Sequence, residues 1–285
     1  PALGLLAAFI LFAIGLMAAG RMYFTSYEKH FEENVRKHLS SVADMKVEEI
    51  CRWRNKHVSD ASIFFNNPSF SELVSGLHRD PSDAECRRRI SDWLVRLAAT
   101  EDYDQIRLLT PDGRTLMSMP EEPASVPEVV VSRLEEVLAG KRLVFQDFYQ
   151  DEENGNARLA LLVPLQAGNA PLVLQMRIDP DVWLYPIIKR WPETSGTAEC
   201  FIVRRQGENA VYLNQLRFSN NRPLALAAYP DGAPHQAALE SLKQEGDFEG
   251  VDYNNIPVLA SLRRVPGTEW SLVSSKSKSE ALESV

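Results

Sequence analysis

Cysteine is nearly missing from these 285 residues: Cys51, Cys86 and Cys200 fall in three different segments and share no metal-ligand spacing. That excludes a disulfide framework or a zinc cluster, and leaves three small apolar fillers, or a single bridge if the chain faces an oxidising compartment. A basic surplus is missing as well. With 31 Lys and Arg against 39 Asp and Glu, the formal charge is −8. No Lys/Arg cluster is interleaved with aromatics, so the counterion-releasing face that nucleic-acid binding needs is excluded. Catalytic signatures are missing too: there is no Gly-x-Ser-x-Gly elbow, no His-Glu-x-x-His and no phosphate-cradling glycine loop. His30, His38, His57, His78 and His235 are scattered, the first three riding one long helix as surface or seam residues, and acidic pairs such as Glu152-Glu153 sit in turns. The expectation is a region with no enzyme activity, no cofactor and no metal, whose business is binding.

Long apolar runs are missing everywhere but at the start. "ALGLLAAFILFAIGLMAAG" runs from Ala2 to Gly20 without a charge and is followed at once by Arg21. Roughly 20 apolar residues in a helix just span a bilayer core. A signal peptide is the rival, since Ala18-Ala19-Gly20 offers small residues for cleavage, but its apolar segment is usually about 7 to 15 residues. The run favours an uncleaved membrane anchor over 1–24.

Beyond it, Tyr27, Phe31, Val35, Leu39, Val42, Met45, Ile50, Trp53 and His57 recur mostly every three or four residues among Glu, Lys and Arg. This predicts one long amphipathic helix over 25–66, a stalk that leaves the membrane and becomes the spine of a domain. Its seam is partly coiled-coil-like and suits a homodimer through this helix; alternatively the whole stripe packs on the chain's own sheet. Two capped short helices follow, and from Tyr103 the period changes. "YDQIRLLTPDGRTLMSMP" is a hairpin, "VPEVVVSRLEEVLAGK" a helix, "RLVFQDFYQDEENGNARLALLVPL" a hairpin and "APLVLQMRID" a further strand. After a helix opening at Asp179-Pro180 and ending at Trp191-Pro192, the same plan repeats in shorter form. The fold class is α+β, with two antiparallel-sheet domains in tandem over 67–192 and 193–276, and the start of a last helix over 277–285 with Ser277 as its cap.

This order resembles the double Cache family, extracytoplasmic sensing regions built of two PAS-like sheets on one long helix. The likeness rests on Ile106 to Met119, "IRLLTPDGRTLMSM"; on Val144 to Pro164, "VFQDFYQDEENGNARLALLVP"; on Val173 to Trp191, "VLQMRIDPDVWLYPIIKRW"; and on the closing "GVDYNNIPVLASLRRVPGTEWSLV". It covers nearly everything beyond Arg21. The resemblance implies a ligand-sensing region of a histidine kinase, diguanylate cyclase or chemoreceptor, held at the inner membrane with the sensing part periplasmic or extracellular. A second membrane helix and an effector would follow Val285. The membrane-distal domain would bind the small molecule, and the proximal one would transmit. The reading from another class is an anchored interaction or scaffold module with no small ligand.

Strand alternation selects the polar residues that share a face. In "LVLQMRI", Gln175 and Arg177 point away from Leu174, Met176 and Ile178; in "FQDFY", Phe145, Asp147 and Tyr149 fall together; Arg107 alternates with Ile106 and Leu108. With the apolar face on the spine helix, Gln175, Arg177, Asp147, Tyr149 and Arg107 become candidates for a ligand pocket. In the rival reading Arg177 and Asp147 pair with each other or reach solvent. A buried guanidinium needs a partner, so an internal carboxylate is expected near Arg177, whose place an organic acid could take through a bidentate contact. The amino-acid-binding branch of the family carries a Tyr-x-Asp, which Tyr149-Gln150-Asp151 matches, and this adds Asp151. Its Arg-aromatic pair is not matched, and Arg177 stands where its ammonium-holding Asp would be, which implies a ligand other than an α-amino acid. Tyr212, Asn214, Arg217 and Tyr253 of the proximal domain are expected to be structural.

Overall fold

The fold is that of a computed structural model describing residues 2–65, 67–121, 125–167, 170–230 and 234–283; the side chains of 2–11, 24–29, 166, 167 and 170 also lie outside the described set. The first helix, α1 (Ala2–Phe65), is a single element of 64 residues. No Pro or Gly interrupts it between Arg21 and Phe65, so nothing in that stretch removes a backbone bond or favours a turn. The division expected between an anchor over 1–24 and a spine over 25–66 is therefore not a break in the helix. Among the described residues no helix is long and apolar enough to cross a membrane. The side chains of the first 11 residues of the expected anchor lie outside the described set, while Phe12, Ile14, Leu16, Met17, Met22 and Tyr23 are exposed.

From Leu39 onward one stripe of α1 is buried: Leu39, Val42, Ala43, Lys46, Ile50, Trp53, His57, Ala61 and Phe64. The expected stripe had Met45 in it, but Met45 is exposed and its neighbour Lys46 is inside. The aliphatic stem of Lys46 packs while its Nζ donates to Ile187 O at 2.6 Å and stands 3.5 Å from Glu49 Oε2, the behaviour of a long amphipathic side chain at the carbonyl end of a short helix. This stripe is spent on the chain's own sheets.

Asn67 caps α2 (Pro68–Arg79) and Asp83 caps α3 (Ala84–Ala98), each side chain accepting from backbone N–H groups of the first turn. The first sheet is built from β1 (Gln105–Leu109), β2 (Thr115–Met119), β3 (Val144–Gln150), β4 (Ala157–Ala167) and β5 (Ala170–Ile178), with α4 (Glu128–Gly140) inserted before β3; its antiparallel order is β2-β1-β5-β4-β3. A six-residue helix, α5 (Leu184–Lys189), leads to the second sheet. That sheet comprises β6 (Glu199–Gln206), β7 (Asn209–Tyr212), β8 (Ala227–Ala228), β9 (Gly246–Val251), β10 (Pro257–Arg264) and β11 (Trp270–Ser277), in the order β8-β7-β6-β11-β10-β9, with α6 (Gln236–Ser241) before β9. The last helix, α7 (Lys278–Glu283), follows β11 without a gap, and Ser277 Oγ accepts from Glu280 N at 3.2 Å. The Glu280 carboxylate does not turn back on its own helix. It accepts from Thr197 Oγ1 and, both at 2.7 Å, from Ser195 Oγ and Thr197 N; burial would raise it, but these bonds hold it down to about 2. Residues 284 and 285 of the expected last helix lie outside the described set.

One apolar core runs through both sheets. It joins Val42, Ile50, Trp53 and Phe64 of α1 to Ile106, Leu159, Leu174 and Met176 of the first sheet and to Cys200, Ile202, Trp270 and Leu272 of the second. Each sheet thus turns one face to the spine helix and keeps a separate cluster on the other, under α4 in the first and under α6 in the second.

Two groups deep in this fold titrate in opposite senses. His57, fully buried with Nδ1 3.1 Å from the Tyr103 hydroxyl, is lowered by burial to about 4, while burial lifts Glu199 to about 7 against hydrogen bonds from Tyr253 and Arg217 N. Between 4 and 6.5 only unfolded His57 binds a proton, so stability falls as the pH falls. Between 4.5 and 7 only folded Glu199 binds one, so stability falls as the pH rises. Where the windows overlap, the two slopes offset each other. In Glu199→Gln the histidine slope stands alone, so the stability of the variant in urea melts should climb by about 2–3 kcal/mol from pH 4.5 to 6.5 relative to the parent. Parallel profiles would refute the pairing.

Candidate functional site

The face of the first sheet turned away from α1 is mapped by its register. Gln105 stands opposite Arg177 and Arg107 opposite Gln175 across β1 and β5; Ala160 and Leu162 of β4 continue the same two rows. On β3, Gln146 faces Ala160 and Tyr149 faces Arg158. Helix α4 covers the apolar half of this surface with Val130, Leu134 and Val137, which pack on Leu109, Val144, Leu162 and Val173. What remains is a polar interior formed by Gln105, Arg107, Gln175, Arg177, Gln146 and Tyr149, all buried or nearly so.

Gln175 is fully buried, and neither atom of its amide has a hydrogen-bond partner; the Tyr149 hydroxyl has none either. Leaving such a group unsatisfied costs about 1–3 kcal/mol. Tyr149 is pushed up to about 12, first by burial and further by Asp104 and Asp151, against the pull of Arg177 and Arg107. At neutral pH it is therefore a proton donor. Arg107, 1% exposed, donates to Ser125 O at 3.3 Å.

The internal carboxylate expected near Arg177 is there twice over. Arg177 Nε lies 2.9 Å from Asp104 Oδ1, and its Nη1 lies 3.3 Å from Asp151 Oδ2. Asp104 is shared with buried Arg158, whose Nε is 3.0 Å from its other oxygen and whose Nη1 is 3.3 Å from Asp179 Oδ2. Two arginines and three aspartates thus close the end of the polar interior. Asp151 also accepts from Glu153 N at 3.0 Å, so the Tyr-x-Asp carboxylate is engaged by a guanidinium and a turn.

Arg177, Gln175, Tyr149 and Arg107 therefore share the outer face of the first sheet, with Asp151 at its end, and Asp147 does not. The register slips between Gln146 and Tyr149, a bulge that puts one extra residue on β3. Alternation resets across it, so Tyr149 shares the face of Gln146 while Asp147 leaves the interior. Asp147 reaches the second sheet, with Oδ2 2.6 Å from Arg204 Nη1 and Oδ1 accepting from Trp270 Nε1 at 2.7 Å. It pairs with Arg204 and not, as the rival reading had it, with Arg177. Sequence reasoning missed Asp104, which stands one residue before β1, and Arg158. The latter was legible, because "RLALLVP" alternates Arg158, Ala160 and Leu162 on one face.

In the second domain Tyr212 bonds His235 Nδ1 through its hydroxyl at 2.9 Å, Asn214 Oδ1 accepts from Ile202 N at 2.8 Å, Arg217 donates to Ala198 O and Ser195 O, and Tyr253 accepts from Phe218 N. All four side chains are engaged within the chain.

No family model and no curated protein sequence matches the chain. Solved structures do. The ligand-binding domain of the Pseudomonas aeruginosa PAO1 amino-acid chemoreceptor PctB, in complex with L-Gln, is 13% identical over 87% of this chain and 93% of its own, with a TM-score of 0.59. That of PctC from the same organism, in complex with GABA, is 19% identical over 85% and 100%, at 0.57. The extracellular domain of vpHK1S-Z8, described as a histidine kinase, is 13% identical over 89% and 98%, at 0.62. The chain has the fold of these sensor domains, as the resemblance in its sequence implied: two antiparallel sheets in tandem on one long helix.

The Asp147 contact yields a prediction. Asp147→Ala removes the acceptor of both Arg204 and the Trp270 indole, at a site only partly open to water, and should cost about 3 kcal/mol in urea unfolding. A loss no larger than the ~1 kcal/mol of a surface ion pair would show that the contact is incidental.

Proposed function

We propose that this chain is the extracytoplasmic ligand-sensing region of a membrane-bound signal-transduction receptor, and that the interior under α4 binds a small organic acid. The observation that carries it is Gln175, fully buried with its whole amide unpartnered, on the sheet face that also carries Arg107, its register partner, and the unpartnered Tyr149 hydroxyl held in its donor form. Three donors of this kind on one face suit the oxygens of a carboxylate. The carboxylates that would favour an ammonium, Asp104 and Asp151, are taken up by Arg177 and Arg158. In this reading the start of α1 is the membrane anchor, the sensing domains lie on the periplasmic or extracellular side, and α7 begins the return toward an effector such as a histidine kinase, diguanylate cyclase or chemoreceptor module. A homodimer through α1 would use the part of the helix before Leu39, because the stripe after it is covered.

Thermal unfolding of the chain against acetate, lactate, succinate and citrate tests the reading. A ligand at ~100 times its Kd adds about 2.7 kcal/mol and raises Tm by several degrees. Gln175→Leu should abolish that shift while stabilising the ligand-free chain by about 1 kcal/mol or more, since it removes a buried amide that nothing satisfies. If no acid shifts the parent, the distal interior is not a carboxylate site and the scaffold reading gains.

A further inference from the structure

The edge of the first sheet meets the β10–β11 turn of the second at a cleft of about 560 Å³. It is lined from three directions: Arg54 from α1, Arg133 and Phe145 from the first domain, and Gly267 to Trp270 from the second. The wall is aromatic, with Phe145 6.3 Å from both Trp270 and Trp53, ring centre to ring centre, in edge-on arrangements. Arg54 lies over the Phe145 ring, its guanidinium carbon 5.2 Å from the centroid.

The two arginines are underused. Among the described residues Arg54 has no carboxylate within ion-pair distance, and its Nε is buried without a hydrogen-bond partner. Arg133 holds Glu136 through Nη1 at 2.8 Å, yet its own Nε is buried and unpartnered too. The acids at the cleft do not relieve them. Asp147 is occupied by Arg204 and Trp270, and Glu269, exposed on the turn, pairs with neither arginine. Partly desolvating a guanidinium without an anion is unfavourable. The turn closes directly over this guanidinium: Gly267 has φ +75°, and a Cβ placed there would crowd Arg54 Nη1 at 3.1 Å.

We infer that this interdomain cleft is a second ligand site, distinct from the interior under α4, and that it takes a small aromatic carboxylate. The planar forks of Arg54 and Arg133 receive the carboxylate, and Phe145, backed by the buried Trp270, receives the ring. The volume lies in the range of small-molecule sites. A ligand seated there touches the spine helix and both domains at once.

Benzoate, titrated into the full chain and followed by tryptophan fluorescence and by calorimetry, is the probe. Saturable binding with a change in Trp270 emission is expected, and Arg54→Gln and Arg133→Gln should each weaken it about tenfold or more. Arg133 is on the surface, so its variant carries the test should Arg54→Gln fail to fold. Gln175→Leu, which disables the interior under α4, should leave the benzoate affinity where it is. The proposal is overturned if the parent shows no saturable binding, if Arg133→Gln binds as tightly as the parent, or if Gln175→Leu abolishes binding.

Discussion

The buried stripe of α1 from Leu39 to Phe64 is the constraint that the rest of the structure obeys. One helix face must be covered along some 25 residues, a length of about 38 Å at 1.5 Å per residue, and a single five- or six-stranded sheet is too narrow to cover it alone. Two sheets placed end to end do so, and the result is one continuous apolar core across both domains, with the Asp147–Arg204 pair at its margin. This sets the polarity of everything else. The inner face of each sheet has to be apolar, so side chains able to recognise a polar molecule are confined to the outer faces and to the junction. Gln175 and Arg177 lie on an outer face because Leu174, Met176 and Ile178 are claimed by the helix.

How far this could be read from the sequence depended on whether the backbone kept its period. On β5 it did, and "LVLQMRI" sorted Gln175 and Arg177 to the correct side. On β1 the same held for Arg107. On β3 one extra residue between Gln146 and Tyr149 reversed the alternation, and Asp147 was assigned to an interior it does not enter. A bulge has no reliable signature in five residues of "FQDFY", because each side chain there is compatible with either face. On the spine helix the error was smaller and had another cause. Met45 is the more apolar residue, but the geometry of the face put Lys46 inside, where its ammonium meets Ile187 O. Asp104 escaped for a third reason: it precedes its strand, where no periodicity exists to orient it.

The charge cluster at the end of the interior under α4 also redefines what Arg177 does. Read along the strand, Arg177 looks like a cation awaiting an anion. In three dimensions it is the bridge between Asp104 and Asp151, and Asp104 is in turn shared with Arg158. Buried ion pairs of this kind are weak contributors to net stability but define geometry sharply, because removing any one partner strands another charge. The cluster therefore fixes the ends of β1, β4 and β5 relative to one another and holds Tyr149 beside them. Arg177 is thus part of the frame of this interior, while Gln175 and the Tyr149 hydroxyl are the groups on the same face whose hydrogen-bonding capacity the chain leaves unused.

Strand β3 is where these pieces meet. On one side it presents Tyr149 to the interior under α4; two residues earlier, within the bulge, Asp147 holds Trp270, and Phe145 walls the interdomain cleft. Trp270 opens β11, which pairs with β6 and β10 along its length and passes without a gap into α7. A displacement of Tyr149 is therefore not free to dissipate in a loop, since both neighbours of the bulge are committed to rigid partners. Bistable behaviour in packed proteins needs a short element with two sets of competing contacts. A bulge can supply one, because sliding it by a residue exchanges which side chains face each way. The contacts on either side of Asp147 make β3 the element that ties the outer face of the first sheet to the packing against the second.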